Sequence, residues 1–373
     1  MAVSRQAYKR VYLQGIDITA NVRSAEVEDN DRLIDRAVVV MNDPSGSGGE
    51  AAREGNTLTV DMGWADNHAV LFEGEVTQVS NTAQGCDPKQ VSLTALDLSY
   101  RIRKRPFQAT NHVGTLSAIL RRIVSREPTT GIAVGQIEPA TNPEFTEAAP
   151  LRQTTQNDWD FIVALARRYA CRAFVEYNGG ASKFYFIPQA RLLQGDAMGT
   201  LSQTGMAGRL TRFSYERMAA QADARLATAT VDPLSGDVVT QAAPPAPTEP
   251  PHAPSSAATD AGGSQLTDAL SVAGQATETP QTQRPEGFRA GTPSDPARAA
   301  TDAAQDPTAA LGWIARGACV GAVMLRAKGQ VEVNGVSGWA IGKWYVRKAK
   351  HVVRTTSGGG MAPGYTTEFE LTR

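Results

Sequence analysis

The 373-residue chain holds only three cysteines and four histidines. Cys86, Cys171 and Cys319 lie far apart and form no CxxC pair. That argues against a cysteine-zinc site and a disulfide framework, and it fits a reducing compartment. His68, His112, His252 and His351 make no HExxH motif and no pair with metal-ligand spacing, so neither a metal nor a cofactor is expected. Charge imbalance is also missing. The formal net charge is −1, so no global field draws the chain to nucleic acid or to a membrane. Long apolar runs are absent: Cys319 to Leu325 falls far short of the ~20 residues of a membrane helix. The opening MAVSRQAYKR lacks the apolar segment of a signal peptide, so synthesis and assembly in cytoplasm are expected.

Motifs for known chemistry are equally scarce. Gly335-Val336-Ser337-Gly338 falls short of GxSxG and sits at a hairpin signal, not a strand-to-helix elbow. The glycine-rich loop Ser45 to Gly49 is followed by no Lys-Ser/Thr pair and no helix start, so it does not read as a phosphate loop. No catalytic residue is assigned, and an enzyme is not expected.

What is present is material for a folded protein. Hydrophobic residues make up 41% and charged residues 20%, enough for two or three domains. The most informative stretch runs from Gln156 to Pro188. Asn157-Asp158 can cap a helix by accepting a free first-turn N–H. Trp159, Ile162, Val163, Ala166, Tyr169 and Ala170 then recur at helical spacing, and Phe161 and Leu165 widen the apolar face. Asp158 and Asp160 open the helix and Arg167-Arg168 close it, which suits the helix dipole. A hairpin follows, with Ala173 to Tyr177 and Lys183 to Ile187 as strands and Asn178-Gly179-Gly180 as turn.

Elsewhere the pattern is mostly strand. Tyr8 to Leu13, Val22 to Val27, Ala37 to Met41, Leu58 to Met62, Val70 to Val79 and Val91 to Leu98 predict six strands of an antiparallel sandwich or barrel. A helix is predicted over Gly114 to Arg126, and Thr129 to Phe145 reads as loop or extended chain. Leu210 to Tyr215 and Leu226 to Val231 read as strands, as do Val320 to Leu325, Gln330 to Val333, Ala340 to Arg347 and Thr367 to Leu371. Between Ser235 and Ala310 lie eleven of the 21 prolines and a formal charge of −6. Such a segment cannot bury enough apolar surface to fold alone. It is expected to be extended and held by a neighbouring surface, with a short helix at Ala297 to Ala304.

Three residue groups have both a chemical and a structural reading. Asp158 and Asp160 could serve as paired carboxylates, but acids are favoured at a helix start anyway. The basic run Arg101 to Arg105 could meet phosphates, but without an aromatic ladder it reads as a solvated linker or a charged strand edge. Trp64, Trp313, Trp339 and Trp344 read as core or interface residues.

Two segments carry a resemblance. QNDWDFIVALARRY with the following hairpin, and GKWYVRKAKHVV with GYTTEFELTR at the C-terminus, resemble the baseplate hub proteins of contractile-tailed phages, the late-control-protein-D family. In that pattern His351 is structural. The resemblance implies an α+β, mainly β chain with two tail-tube-like antiparallel β-barrels. These would be 1–105 and a split second barrel, 201–234 with 311–373. An α/β domain, 106–200, lies between them. The extended, acidic Pro/Ala/Thr-rich insertion 235–310 departs from a compact domain of that pattern, and it is expected to extend over an adjacent subunit and help lock a trimer. The resemblance further implies a homotrimer whose six barrels form a pseudo-six-fold ring. That ring would join a six-fold tail tube, or a tube initiator, to a three-fold central spike around a DNA channel. Baseplate wedge proteins would flank it, and the tape measure and transiting DNA would occupy the lumen. No membrane partner is implied, and the place is the tail baseplate of a virion. The alternatives are the hub of a headless contractile injection particle, such as an R-type bacteriocin, or a tail-associated peptidoglycan hydrolase.

Overall fold

The computed structural model describes residues 6–43, 46, 52–83, 89–126, 131–140, 142–204, 208–217, 226–231, 238–241, 287–290, 313–336, 340–355 and 364–373. Cys86, His252, Trp339, Ser337-Gly338, the expected helix at 297–304 and most of the 235–310 insertion lie outside these residues, as does the 45–49 loop apart from Gly46.

The fold is α+β and mainly β. Its first strands are β1 (Ala7–Leu13), β2 (Ile16–Asp17), β3 (Val22–Asn30), β4 (Arg36–Asn42), β5 (Thr57–Trp64), β6 (Asn67–Thr82) and β7 (Gln90–Asp97). Their side chains alternate inward and outward, the period-two signature of a half-buried strand. In β7, for example, Val91, Leu93 and Ala95 are buried while Gln90, Ser92 and Thr94 are half-buried.

The middle segment contains helices α1 (Ser99–Arg103), α2 (Leu116–Val124), α3 (Asp158–Arg168) and α4 (Gln189–Gln194). Its strands are β8 (Thr110–His112), β9 (Gly114–Thr115), β10 (Ile132–Ile137), β11 (Glu144–Phe145), β12 (Leu151–Gln153), β13 (Cys171–Asn178) and β14 (Ala181–Pro188). In α3 the Asn157 side chain accepts the Asp160 N–H at 2.8 Å, and Trp159, Phe161, Ile162, Leu165 and Ala166 are buried. α3 packs on β13, and β13 and β14 form the expected hairpin. The segment read as loop or extended chain contains β10, which pairs parallel with β14 and completes a three-stranded sheet. The core beneath it gathers Leu116, Ile119, Leu120 and Ile123 of α2 with Trp159, Phe184 and Phe186.

The last strands are β15 (Ala197–Ser202), β16 (Leu210–Arg217), β17 (Leu226–Val231), β18 (Val238–Gln241), β19 (Gly287–Ala290), β20 (Trp313–Val320), β21 (Gln330–Asn334), β22 (Gly342–Arg354) and β23 (Tyr365–Thr372). Two expectations are corrected here. The strand read at Val320 to Leu325 ends at Val320, after which the chain turns. Gly321 lies against the Tyr365 ring, and a Cβ there would overlap it. Leu226 to Val231, read as part of the second barrel, pairs instead with β18 and β19 in a separate three-stranded sheet.

The two groups of main-sheet strands share one plan. In the first, neighbours follow the order β3-β4-β7-β6-β5-β1; in the second, β16-β20-β23-β22-β21-β15. Counted along the chain, both read second, third, sixth, fifth, fourth, first. Irregularities recur in register too. A one-residue bulge falls between Val76 and Gln78 opposite β7, and between Val346 and Lys348 opposite β23. Another falls between Val22 and Ser24 opposite β4, and between Leu210 and Arg212 opposite β20. The turn before β5 donates Gly55 N–H to Val76 O at 2.8 Å, and the turn before β21 donates Lys328 N–H to Val346 O at 3.0 Å. Both turn residues are left-handed, with φ of 90° and 68°. One pairing differs: β1 is antiparallel to β5, whereas β15 is parallel to β21.

The two groups are also joined. The C-terminal part of β22 leaves β21 and pairs with β3, from Lys348↔Asn30 to Arg354↔Ser24. A 13-stranded sheet therefore runs through both.

Candidate functional site: a charged seam where the units meet

The join is held by an unusual set of buried charges. Inward positions of β3 are Val22, Ala25, Val27 and then Asp29, so period two carries a carboxylate into the interior; Asp29 is 1% exposed. It meets the turn before β21. Its Oδ1 lies 2.6 Å from Lys328 Nζ, and its Oδ2 lies 2.7 Å from Arg326 Nε and accepts the Ala327 N–H at 3.1 Å. Lys328 Nζ also reaches Asp35 Oδ2 at 3.1 Å. Asp35 N–H donates to Asp97 Oδ2 at 2.8 Å, and Asp97 Oδ1 accepts the Ser99 N–H at 2.7 Å as the chain enters α1. The middle segment joins through β13. Glu176 lies 3.0 Å from Arg326 Nη2, and Arg172 Nη2 lies 3.6 Å from Asp31.

Burial by itself would push the Asp29 carboxyl up and the Lys328 ammonium down. Mutual attraction outweighs it, so Asp29 sits below the ordinary carboxylate range and Lys328 above the ordinary lysine range. Asp35 is pushed up, first by burial and then by the charge of Asp29. One cation thus bridges two carboxylates that would repel without it. Removing one partner of such a set costs far more than the pair contributes, because it strands a buried charge. Asp29, Asp35, Asp97 and Lys328 are buried, so they serve to fix geometry.

The basic run follows the same logic, and its reading as a solvated linker or strand edge is corrected. Arg101 and Lys104 both clasp Glu75 of β6, Arg101 at 2.6 Å. Arg105 is buried, 3.2 Å from Asp158, and donates to Ile123 O at 2.7 Å. The last turn of α1 and the turn after it put these side chains on different sides, so one basic run fastens both the sheet and α3.

The carboxylates considered for hydrolysis do not converge. Asp158 is buried among Arg105, Arg126 and the Gln153 amide, while Asp160 lies at the exposed helix start. His351 lies within β22, fully buried, between the Tyr365 hydroxyl at 2.7 Å and Leu325 O at 2.8 Å. Burial, aided by the charge of Arg326, lowers its pKa to about 4 and keeps it neutral. His112 is buried against Gln153 at 3.0 Å, and His68 lies at the surface 3.0 Å from Asp61. Cys171 and Cys319 are buried, which pushes both thiols up to about 12. Trp64 and Trp344 are core residues, and Trp313 is half-buried at the sheet end. Among the described residues no cluster could hold a metal ion, and no helix is long and apolar enough to cross a membrane. The seam itself escaped sequence reading. Its one local signal was an acid at an inward strand position, Asp29.

No protein-family model and no curated protein sequence matches the chain. Solved structures do. A tail protein from Neisseria meningitidis MC58 aligns with a TM-score of 0.64 at 12% identity, over 98% of this chain and 96% of that one. The 43 kDa tail protein of prophage MuSo2 from Shewanella oneidensis aligns at 0.60 with 10% identity, over 99% and 98%. An E. coli component of the type VI secretion system, described as similar to the T4 bacteriophage tail proteins gp27 and gp5, aligns at 0.54 with 9% identity, over 97% and 76%. Over the aligned residues this chain has the fold of those tail and secretion-system proteins.

Proposed function

We propose that the chain is a structural hub protein of a contractile-tail baseplate. Three copies form a ring with pseudo-six-fold symmetry that joins a six-fold tail tube to a three-fold spike around the channel for DNA. The observation that carries this reading is the repeated strand plan inside a tail-protein fold. A chain with two equivalent sheet units presents similar edges at alternating positions, so three chains can match six. The sealed seam supports it, because a ring that transmits load needs its two units held in one orientation. The two sheet units act as scaffold, and no residue is assigned a catalytic role. Tube, spike, wedge and tape-measure proteins are the proposed partners, and the virion tail baseplate is the proposed place.

The likeness to a type VI secretion component favours a second reading, a hub in a headless injection particle built from the same parts. Immunogold labelling of purified particles from the producing strain tests the proposal. Label at the distal tail end is expected, on headed particles for the first reading and on headless ones for the second. Particles that bind no label there would overturn both.

A further inference from the structure

Lys9 is a half-buried cation that meets no acid among the described residues. Period two puts it on the inward side of β1 with Val11. Its ammonium reaches the Val22 carbonyl and the Thr355 hydroxyl, both neutral oxygens. Burial pushes it below the ordinary lysine range, and no described carboxylate offsets that. Lys328, by contrast, is enclosed between two carboxylates. Beside Lys9 opens a cleft of about 470 Å³, lined by Lys9, Thr19, Asn21, Arg23, Asn42 and Thr355. Two cations line it and no acid does.

A shared feature of the fold is used differently here. Arg23 is the extra residue of the bulge between Val22 and Ser24. Bulges re-aim side chains, and the Arg23 side chain is exposed, with no partner among the described residues. In the second unit the extra residue is Thr211, whose hydroxyl folds back onto Ala318 O at 3.0 Å. The repeat keeps the bulge and changes what it presents. The backbone adds to the cleft. Val11 N–H donates to Thr19 Oγ1 at 2.9 Å, and Val11 O accepts the Ile18 N–H at 3.0 Å, both on the side of β1 away from β5. Backbone groups two residues along a strand leave by the same edge. Lys9 N–H and C=O therefore open on that edge too, and no described residue pairs with them.

Two demands together select the occupant. The cations of Lys9 and Arg23 call for carboxylate or phosphate oxygens. Lys9 C=O calls for a donor, and so does the Asn42 carboxamide oxygen, which is buried and accepts nothing from the described residues. A phosphodiester chain carries oxygens but no donors along its backbone. An extended acidic peptide carries N–H donors, C=O acceptors and carboxylates at strand spacing. We propose that this cleft docks an extended acidic segment of another protein. The segment adds to the edge of β1 at Lys9, as peptides add to exposed sheet edges, and sets its carboxylates against Lys9 and Arg23.

The cleft lies within one chain, so its test does not depend on the ring. The probe is a fluorescein-labelled octapeptide of alternating threonine and glutamate, which as a strand puts its glutamates on one face. Fluorescence anisotropy with the full-length protein is expected to show saturable binding that weakens as salt rises. Arg23→Gln, at an exposed side chain, should weaken binding about tenfold, the size of one charge-assisted contact. Arg191→Gln removes an exposed cation of α4 outside the cleft and should leave binding unchanged. A peptide of alternating proline and glutamate keeps the charge but loses strand hydrogen bonds, and it should bind far more weakly. Four results would overturn the proposal: no binding of the threonine–glutamate peptide, equal losses in Arg23→Gln and Arg191→Gln, equal binding of the proline peptide, or tighter binding of a single-stranded oligonucleotide.

Discussion

Replacing Lys328 with methionine is expected to destabilise the protein by about 3–5 kcal/mol, the usual cost of breaking a buried ion set from one side. Methionine keeps much of the side-chain volume, so the loss reports charge. Without the ammonium, Asp29 retains Arg326 and the Ala327 N–H, but Asp35 loses its cation and faces Asp29 across the vacated space. Two buried carboxylates then compete for one counter-charge. The backbone supplies an internal control. Lys328 has φ of 68°, a conformation that costs an L-residue roughly 1–2 kcal/mol and that glycine adopts freely at Gly55. Lys328→Gly should therefore lose less than Lys328→Met. Urea unfolding midpoints decide it: a shift below about 1 kcal/mol for Lys328→Met would show that the seam does not hold the units.

Trp159→Ala is expected to cost about 3–5 kcal/mol, the range for emptying a large aromatic site in a core. Trp159 is buried, meets Phe184 edge-on at 6.4 Å between ring centres, and belongs to the core shared by α2, α3 and β14. The hole would open between α3 and the hairpin, where neither element can collapse without losing its own pairing. Trp159→Phe should recover part of the loss. Melting of the alanine variant at the wild-type temperature would contradict this placement.

Local rules carried much of the fold. Asn157 caps α3, the apolar stripe from Trp159 to Ala166 turns inward, and Asn178-Gly179-Gly180 turns the hairpin, because each depends on residues a few positions apart. Most strands of the main sheet followed from short runs rich in Val, Leu and Thr set between turn residues. Failures came where distant residues decide. Val320 to Leu325 is as apolar as a strand, yet Gly321 must slip past Tyr365 and the chain turns there. Gly135 interrupts the strand signal of β10, and its partner lies some fifty residues on. Arg101 to Arg105 looked like one basic surface until a helix split it between Glu75 and Asp158. The seam was least legible, since Asp29 and Lys328 are separated by 299 positions. The repeat was hidden for a related reason. What recurs is a bulge, a left-handed turn and a strand order, and these are met by different residues, Gly55 in one unit and Lys328 in the other.

The account's central claim is that one polypeptide carries two equivalent sheet units, so that three polypeptides imitate a hexagon. End-on electron-microscopic averages of the purified protein test it most directly, with mass measured on the same sample. The account predicts a particle of three 39.7 kDa chains showing a ring of six similar lobes around an open centre. A single-chain particle, or a trimer with three lobes and no ring, would contradict it.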